Sequence, residues 1–294
     1  SKDDVSVKLH KLSSNEWQKA RNNVKKAVKD MAKQLTALYA KRMSVKGYAF
    51  SPDTDLQNDF ERRFEYEETE SQITAANEIK EDMIRAVPMD RLLCGDVGFG
   101  KTEVAFRAVY LCVLAGKQAA LMCPSTVLCR QHFQTAMQRF AAFGVRVASL
   151  NRFNTPKETE RILRETKEGK IDLLIGTHRL LSGDVQFRDL GLLVLDEEQR
   201  FGVEHKEKIK QMKKNVDVLT LSATPIPRTL NMSLTGIKDM SLIEEPPEER
   251  YPVQTYVLEQ DDQILKEVIE RELGRGGQGI VYLARYRGRE YALK

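Results

Sequence analysis

Gly95, Gly100, Lys101 and Thr102 stand in the run Gly95-Asp96-Val97-Gly98-Phe99-Gly100-Lys101-Thr102, which fits the pattern G-x-x-x-x-G-K-[ST] at every fixed position. Such spacing serves the binding of a nucleoside triphosphate with Mg²⁺. Glycines let backbone N–H groups curl around phosphate oxygens, Lys101 reaches the β and γ phosphates, and the Thr102 hydroxyl ligates the metal. The cradle spans Gly95 to Glu103 and follows the apolar residues Leu92, Leu93 and Cys94. A second constellation lies downstream, where Leu192 to Leu195 run into Asp196, Glu197, Glu198 and Gln199. At a strand tip, Asp196 would hold Mg²⁺ through water, and Glu197 would orient and deprotonate an attacking water. That division of labour suits a hydrolase better than a kinase. Either signal alone is weaker than the two together.

These residues need elements that bring them to one edge. From about Phe64 to Ile243, short apolar strands alternate with amphipathic helices, which predicts an α/β fold with a parallel sheet covered by helices on both faces. Strands are expected at Arg91–Cys94, Ala119–Cys123, Val145–Leu150, Ile171–Ile175, Leu192–Leu195, Val218–Ser222 and Met240–Ile243. Helices are expected at Lys101–Leu114, Val127–Phe140 and Pro156–Glu168. Ligands of such sheets gather at the carboxyl ends of the strands. The polar signatures fall at those ends: the phosphate loop, Pro124-Ser125-Thr126, Gly176-Thr177-His178, the Asp-Glu-Glu-Gln run and Ser222-Ala223-Thr224.

Ahead of this body the pattern changes. Apolar residues recur with helical spacing from Trp17 through Val24, Met31, Leu35 and Leu38 to Met43, predicting one long amphipathic helix over 14–47. Ser13 and Glu16 are expected to form a capping box at its start, and Gly47 its stop. Residues 1–47 hold twelve Lys and Arg against four Asp and Glu, and residues 48–90 reverse those counts, so the net charge of +4 hides a basic arm. That arm either faces nucleic acid or an acidic partner, or is a solvated helix face balanced by the acidic segment after it.

With 294 residues and 41% hydrophobic content, the chain suffices for one sizeable core with appendages or two small domains. No apolar stretch reaches membrane-spanning length and the opening SKDDVSVKLHKL is unlike a signal segment, so no membrane partner and a cytoplasmic location are expected. Cys94, Cys112, Cys123 and Cys129 lie in apolar segments without a C-x-x-C pair, which predicts buried reduced thiols.

Taken in order, the motifs resemble those of superfamily 2 helicases and translocases, and within them the bacterial transcription-repair coupling factors. The carriers are FEYEETESQ at 64–72, MDRLLCGDVGFGKTEVA at 89–105, DEEQRFGVEHKEKIK at 196–210 and LSATPIPRTLNMS at 221–233. The fork-remodelling helicase RecG shares the phosphate loop and the ATPIPRTL run, but Glu198, Gln199 and His205-Lys206-Glu207 favour the coupling factors. The resemblance implies a RecA-like ATP-binding lobe over 48–248, preceded by the last residues of another domain over 1–13 and the helix 14–47. Residues 249–294 would begin a second lobe, with a strand at 253–257 and a helix at 261–273. The family takes its arginine fingers from that second lobe, so hydrolysis by this chain alone is expected to be weak or absent.

The same resemblance assigns roles. Gln72 would read the adenine edge, with Phe64 or Tyr66 stacked on the ring. Ser125, Thr126, Gln131 and His132 would contact the backbone of a DNA strand, as would Thr177, His178 and Arg179. Ser222, Ala223 and Thr224 would link ATP state to DNA grip, with Arg228 close to phosphate or to the Walker B carboxylates. The implied activity is ATP-dependent translocation on double-stranded DNA in transcription-coupled repair. A RecG-like fork helicase lobe and a nucleotide-dependent binding module without turnover are the alternatives. RNA polymerase is a partner of full-length members, and its binding is not expected here because only residues 5–12 resemble the polymerase-interacting domain.

The tail departs from the family. Gly274, Gly276, Gly279 and Val281 fit the kinase pattern G-x-G-x-x-G-x-V, and Ala292-Leu293-Lys294 mimics a kinase lysine strand. The catalytic Asp loop and Asp-Phe-Gly of a kinase are missing from the sequence, so kinase activity is not expected. A strand is expected at 279–283, within a tail either poorly ordered or added to the edge of the main sheet.

Overall fold

The computed structural model describes residues 45–52, 54–202, 205, 209, 215–223 and 239–248, together with the backbone of 282–286 and 289–293. Residues 1–13, the helix expected over 14–47 up to residue 44, the strand at 253–257 and the helix at 261–273 lie outside the described residues. Two compact units divide the chain, Ser1–Pro247 and Glu248–Lys294.

The first unit is built on seven strands: β1 Asp90–Gly95, β2 Gln118–Met122, β3 Val147–Leu150, β4 Leu173–Gly176, β5 Leu190–Asp196, β6 Asp217–Ser222 and β7 Asp239–Ile243. They form one sheet in the order β3-β4-β2-β5-β6-β1-β7, every neighbouring pair parallel. All seven are expected from the sequence, the central ones because strands buried on both faces read as near-continuous apolar runs. β2 and β6 are buried at every position. Successive side chains alternate between two cores. Leu121, Leu173, Ile175, Leu192, Val194 and Leu219 join one, whereas Ala120, Met122, Leu174, Leu193, Leu195 and Val218 join the other.

Among the described residues five helices cover those faces: α1 Asp55–Arg62, α2 Glu70–Ile84, α3 Lys101–Leu114, α4 Thr126–Arg139 and α5 Pro156–Lys167. The first core takes Phe60 of α1, Ile79 and Met83 of α2, the apolar residues of α3 from Val104 to Cys112, and Cys129 and Ala136 of α4; the second takes Ile162 of α5. Sequence periodicity does not single out α1 and α2. Thr69 and Gln72 mark the start of α2, since they form a complete capping box with Gln72 N–H donating to Thr69 Oγ1 at 3.3 Å and Thr69 N–H to Gln72 Oε1 at 3.1 Å. The sheet edge opposite the ligand ends is fastened by Gln118. Its buried side chain donates to the Thr166 and Ile171 carbonyls and accepts from the Arg188 and Asp189 N–H groups. The four cysteines are buried and free. No described helix is long and apolar enough to cross a membrane.

In the second unit, β8 Tyr282–Tyr286 and β9 Arg289–Leu293 pair antiparallel in a sheet of their own. This corrects the expected addition of the tail to the main sheet, while residues 279–281 of the strand expected at 279–283 lie outside the described residues. The backbone groups that would have sought an edge are paired locally, Tyr282–Tyr286 against Arg289–Leu293.

Candidate active site

The phosphate loop leaves β1 and closes into α3, as its chemistry requires. Gly100 sits at φ 78°, in the left-handed region, so the backbone demands glycine, and a Cβ there, 2.5 Å from Gln72 Nε2, would displace the Gln72 amide. Gly95 is crowded from the other side, where a Cβ would come within 3.1 Å of Ile243 Cβ on β7. Between them, Asp96 Oδ1 accepts from Val97 N–H at 2.7 Å and Phe99 N–H donates to Asp96 O at 3.2 Å, while the Val97 side chain is exposed. Lys101 folds back over the loop, its Nζ donating to Gly95 O at 2.7 Å and Asp96 O at 2.8 Å. Burial lowers its pKa, against the pull of Asp196, Asp96 and Glu197, which face it.

Asp196 ends β5, and β6 separates that strand from β1, so the two loops stand two strand spacings apart, about 10 Å. Glu197 follows with φ 51° and ψ 50°, the one non-glycine residue at positive φ among the described residues. A left-handed glutamate costs on the order of 1–3 kcal/mol and persists where the surroundings dictate it. Here its N–H donates to Leu221 O at 3.1 Å, pinning the turn to β6. Its Oε2 is buried against the Arg200 guanidinium without a hydrogen bond of good geometry. Ser222, buried at the end of β6, and Ala223 lie between the two loops in the strand order; Thr224 and Arg228 lie outside the described residues.

Gln72 is brought to the loop, its Nε2 donating to Phe99 O at 3.0 Å. The capping box uses one lone pair of Oε1 and this bond uses one amide hydrogen, which leaves one acceptor and one donor for a base edge. Phe64 and Tyr66 meet edge to face at 5.4 Å, Phe64 is flanked by the Arg107 and Arg139 guanidinium groups at 5.8 and 5.7 Å, and Tyr66 is exposed.

The Glu103 side chain turns away from the phosphate loop. Its motif groups it with the nucleotide cradle, but it accepts from Arg139 Nε at 2.8 Å and from Arg107 Nε at 3.2 Å, buried among them. One step along a helix rotates a side chain by about 100°, so the residue after Thr102 turns off the phosphate side into this ion cluster.

Toward the other end of the sheet lie the residues expected to touch DNA, and they divide. Ser125 caps α4, its Oγ accepting from Leu128 N–H at 3.2 Å, and Thr126 follows half-buried. Gln131 is exposed. Thr177 is buried and caps the short 3-10 helix His178–Leu181, while His178 is exposed and stacks on His205 at 5.0 Å. Arg179 is held by Asp184 in a two-pronged pair at 2.6 and 2.5 Å. That bonding holds the Asp184 carboxyl below, and the Arg179 guanidinium above, their usual ranges. His132 is a second correction. The structure buries it and places its Nε2 2.8 Å from Asp196 Oδ2. A side chain committed to the Walker B carboxylate is not on a surface that meets a DNA backbone.

Residues 69–233, more than half of the chain, match the family model described as DEAD/DEAH box helicase. Among curated proteins, the chain is 56% identical over 271 residues to the transcription-repair-coupling factor of Bacillus subtilis strain 168, covering 92% of this chain and 23% of that protein. It is 53% identical over 281 residues to the factor of Staphylococcus aureus strain USA300, covering 96% and 24%. The chain thus spans about a quarter of the length of these relatives. Among solved structures it is similar to RecG bound to a three-way DNA junction, with TM-score 0.69 and 36% identity over 87% of this chain and 36% of that one. A phosphate loop and an acidic strand tip two strands apart, at the ligand edge of an all-parallel sheet, are thus accompanied by a family match that runs through both: the chain belongs to the DEAD/DEAH box helicases.

Proposed function

We propose that residues 48–248 are the ATP-binding motor lobe of a double-stranded DNA translocase that acts in transcription-coupled repair. The observation that carries the reading is the convergence of Lys101 and Thr102 at the carboxyl end of β1 with Asp196 and Glu197 at that of β5. The higher identity to the coupling factors, 56% against 36% to RecG, favours repair coupling over fork remodelling.

The residues fit ATP with Mg²⁺. The loop has the positive-φ glycine and the cation that a phosphate chain requires, and Thr102, with Asp196 acting through water, supplies the hard oxygens that Mg²⁺ takes. Among the described residues no cluster of three or more His, Cys, Asp and Glu forms a metal cage, so the ion's remaining ligands would be phosphate oxygens and water. When bound, Mg²⁺ would neutralise phosphate charge. Lys101 would leave the loop carbonyls for the terminal phosphates, Gln72 would offer its spare donor and acceptor to the base, and Glu197 would hold and deprotonate the attacking water once Arg200 swings away. Arg200 is 65% exposed, so releasing it costs little.

Hydrolysis measured with and without linear duplex DNA tests the proposal. A slow rate that duplex stimulates is expected, and nucleotide binding with no turnover in the presence of duplex counts against a motor and for a nucleotide-binding module. Preference for a three-way junction over linear duplex would favour the fork-remodelling reading.

A smaller effect is expected at Asp184, which competes with DNA phosphates for Arg179. An exposed pair of this kind is worth up to about 1 kcal/mol, so Asp184→Asn should tighten duplex binding by as much as about fivefold. Each further DNA phosphate that the freed guanidinium neutralises should steepen the dependence of log K on log salt by about 0.9. Fluorescence anisotropy across a salt series reads both.

A further inference from the structure

Helix α4 buries Cys129, His132 and Ala136 at i, i+3 and i+7, an inward stripe interrupted by one polar ring. A buried polar side chain needs a partner, and the partner of His132 is the Asp196 carboxylate, with the two side chains only 8% and 14% exposed. The contact joins residues 64 positions apart, one on the helix that follows β2 and the other on the tip of β5, the strand beside β2. His132 Nε2 occupies Oδ2 of Asp196, leaving Oδ1 as the oxygen available to an ion. A carboxylate with two equivalent oxygens and free rotation is a poor template for the narrow octahedral geometry of Mg²⁺; one held by a fixed donor is prepared for it.

We infer that His132 is a positioning residue of the nucleotide site: it fixes the rotamer of Asp196 and so sets the affinity for the metal that accompanies the nucleotide. The inference rests on the nucleotide-site reading above, and it replaces the DNA contact that the sequence suggested for this residue. Loss of such an outer partner typically weakens metal binding by about 10- to 100-fold.

The test titrates Mg²⁺ into the protein with a fluorescent ADP analogue and reads the Mg²⁺ midpoint, with Mn²⁺ paramagnetic resonance as a direct count of bound ion. In His132→Ala the midpoint should rise at least about tenfold while the metal-free nucleotide affinity stays put. His132→Gln should restore it to within about threefold, because an amide at that reach reproduces the Nε2 donor. His132→Asn, whose amide ends one bond short, should follow alanine, and it supplies the comparison if the alanine variant melts. Met137→Ala, exposed on the same helix, should leave the midpoint unchanged and controls for a substitution in α4. Equal midpoints in wild type, Asn and Gln variants would overturn the inference alone. A wild-type protein whose nucleotide binding ignores Mg²⁺ would overturn the nucleotide-site reading as well.

Discussion

Glu197→Gln is expected to lower single-turnover ATP hydrolysis by about 10²- to 10⁴-fold, the usual worth of a positioned general base, while nucleotide affinity stays within about twofold. The amide keeps the shape of the side chain and its place beside Asp196 but cannot take a proton. The backbone supports the separation of effects. Glu197 is held at φ 51° by its N–H bond to Leu221 O, and glutamine meets the same conformational cost, so the turn should survive the change. Substitution by glycine gives the complementary result. Glu197→Gly removes both the carboxylate and the left-handed penalty, so hydrolysis should fall as far while the thermal midpoint stays at or above that of wild type. A Glu197→Gln protein that hydrolyses ATP at the wild-type rate would transfer the base role elsewhere, with Glu198 the nearest candidate.

The seven strands and the phosphate loop were legible in the sequence for physical reasons. A strand buried on both faces keeps few polar positions to confuse its reading, and a phosphate cradle requires glycine at fixed places. The edges were less legible. β3 is expected from Val145 but begins at Val147, because the Arg146 N–H is taken by the Asp172 carboxylate at 2.8 Å. Contacts made across the sheet left no sequence signal. Nothing local to His132 tells that the ring points toward a carboxylate 64 residues later, and Glu103 reads as part of a contiguous motif until helical rotation sends it to Arg107 and Arg139. Gln72 stands out by its motif, yet its bond to the Phe99 carbonyl, which ties helix α2 to the phosphate loop, leaves no mark in the sequence. Polar residues betray a site by type and spacing, whereas their partners are decided by packing.

Lys101→Ala should weaken ATP and ADP binding by about 30- to 5,000-fold, the equivalent of the 2–5 kcal/mol typical when one member of a desolvated charge pair is removed. The ammonium faces the cradle and is partly desolvated there, so alanine leaves the phosphate charge without its nearest cation. A pH series sharpens the test. Burial sets the Lys101 pKa below its ordinary 10.5, and bound phosphate, an anion, must raise it again. Only the protonated amine attracts phosphate, so wild-type affinity should be flat below the free-state pKa. It should then fall as pH rises between the free and the bound values, by up to tenfold per pH unit. In Lys101→Ala that slope should vanish, leaving a weak affinity with no dependence on alkaline pH. Fluorescent-nucleotide titration from neutral to alkaline pH measures both proteins. A variant that binds as tightly as wild type, or keeps the same alkaline slope, would show that another cation carries the phosphate contact.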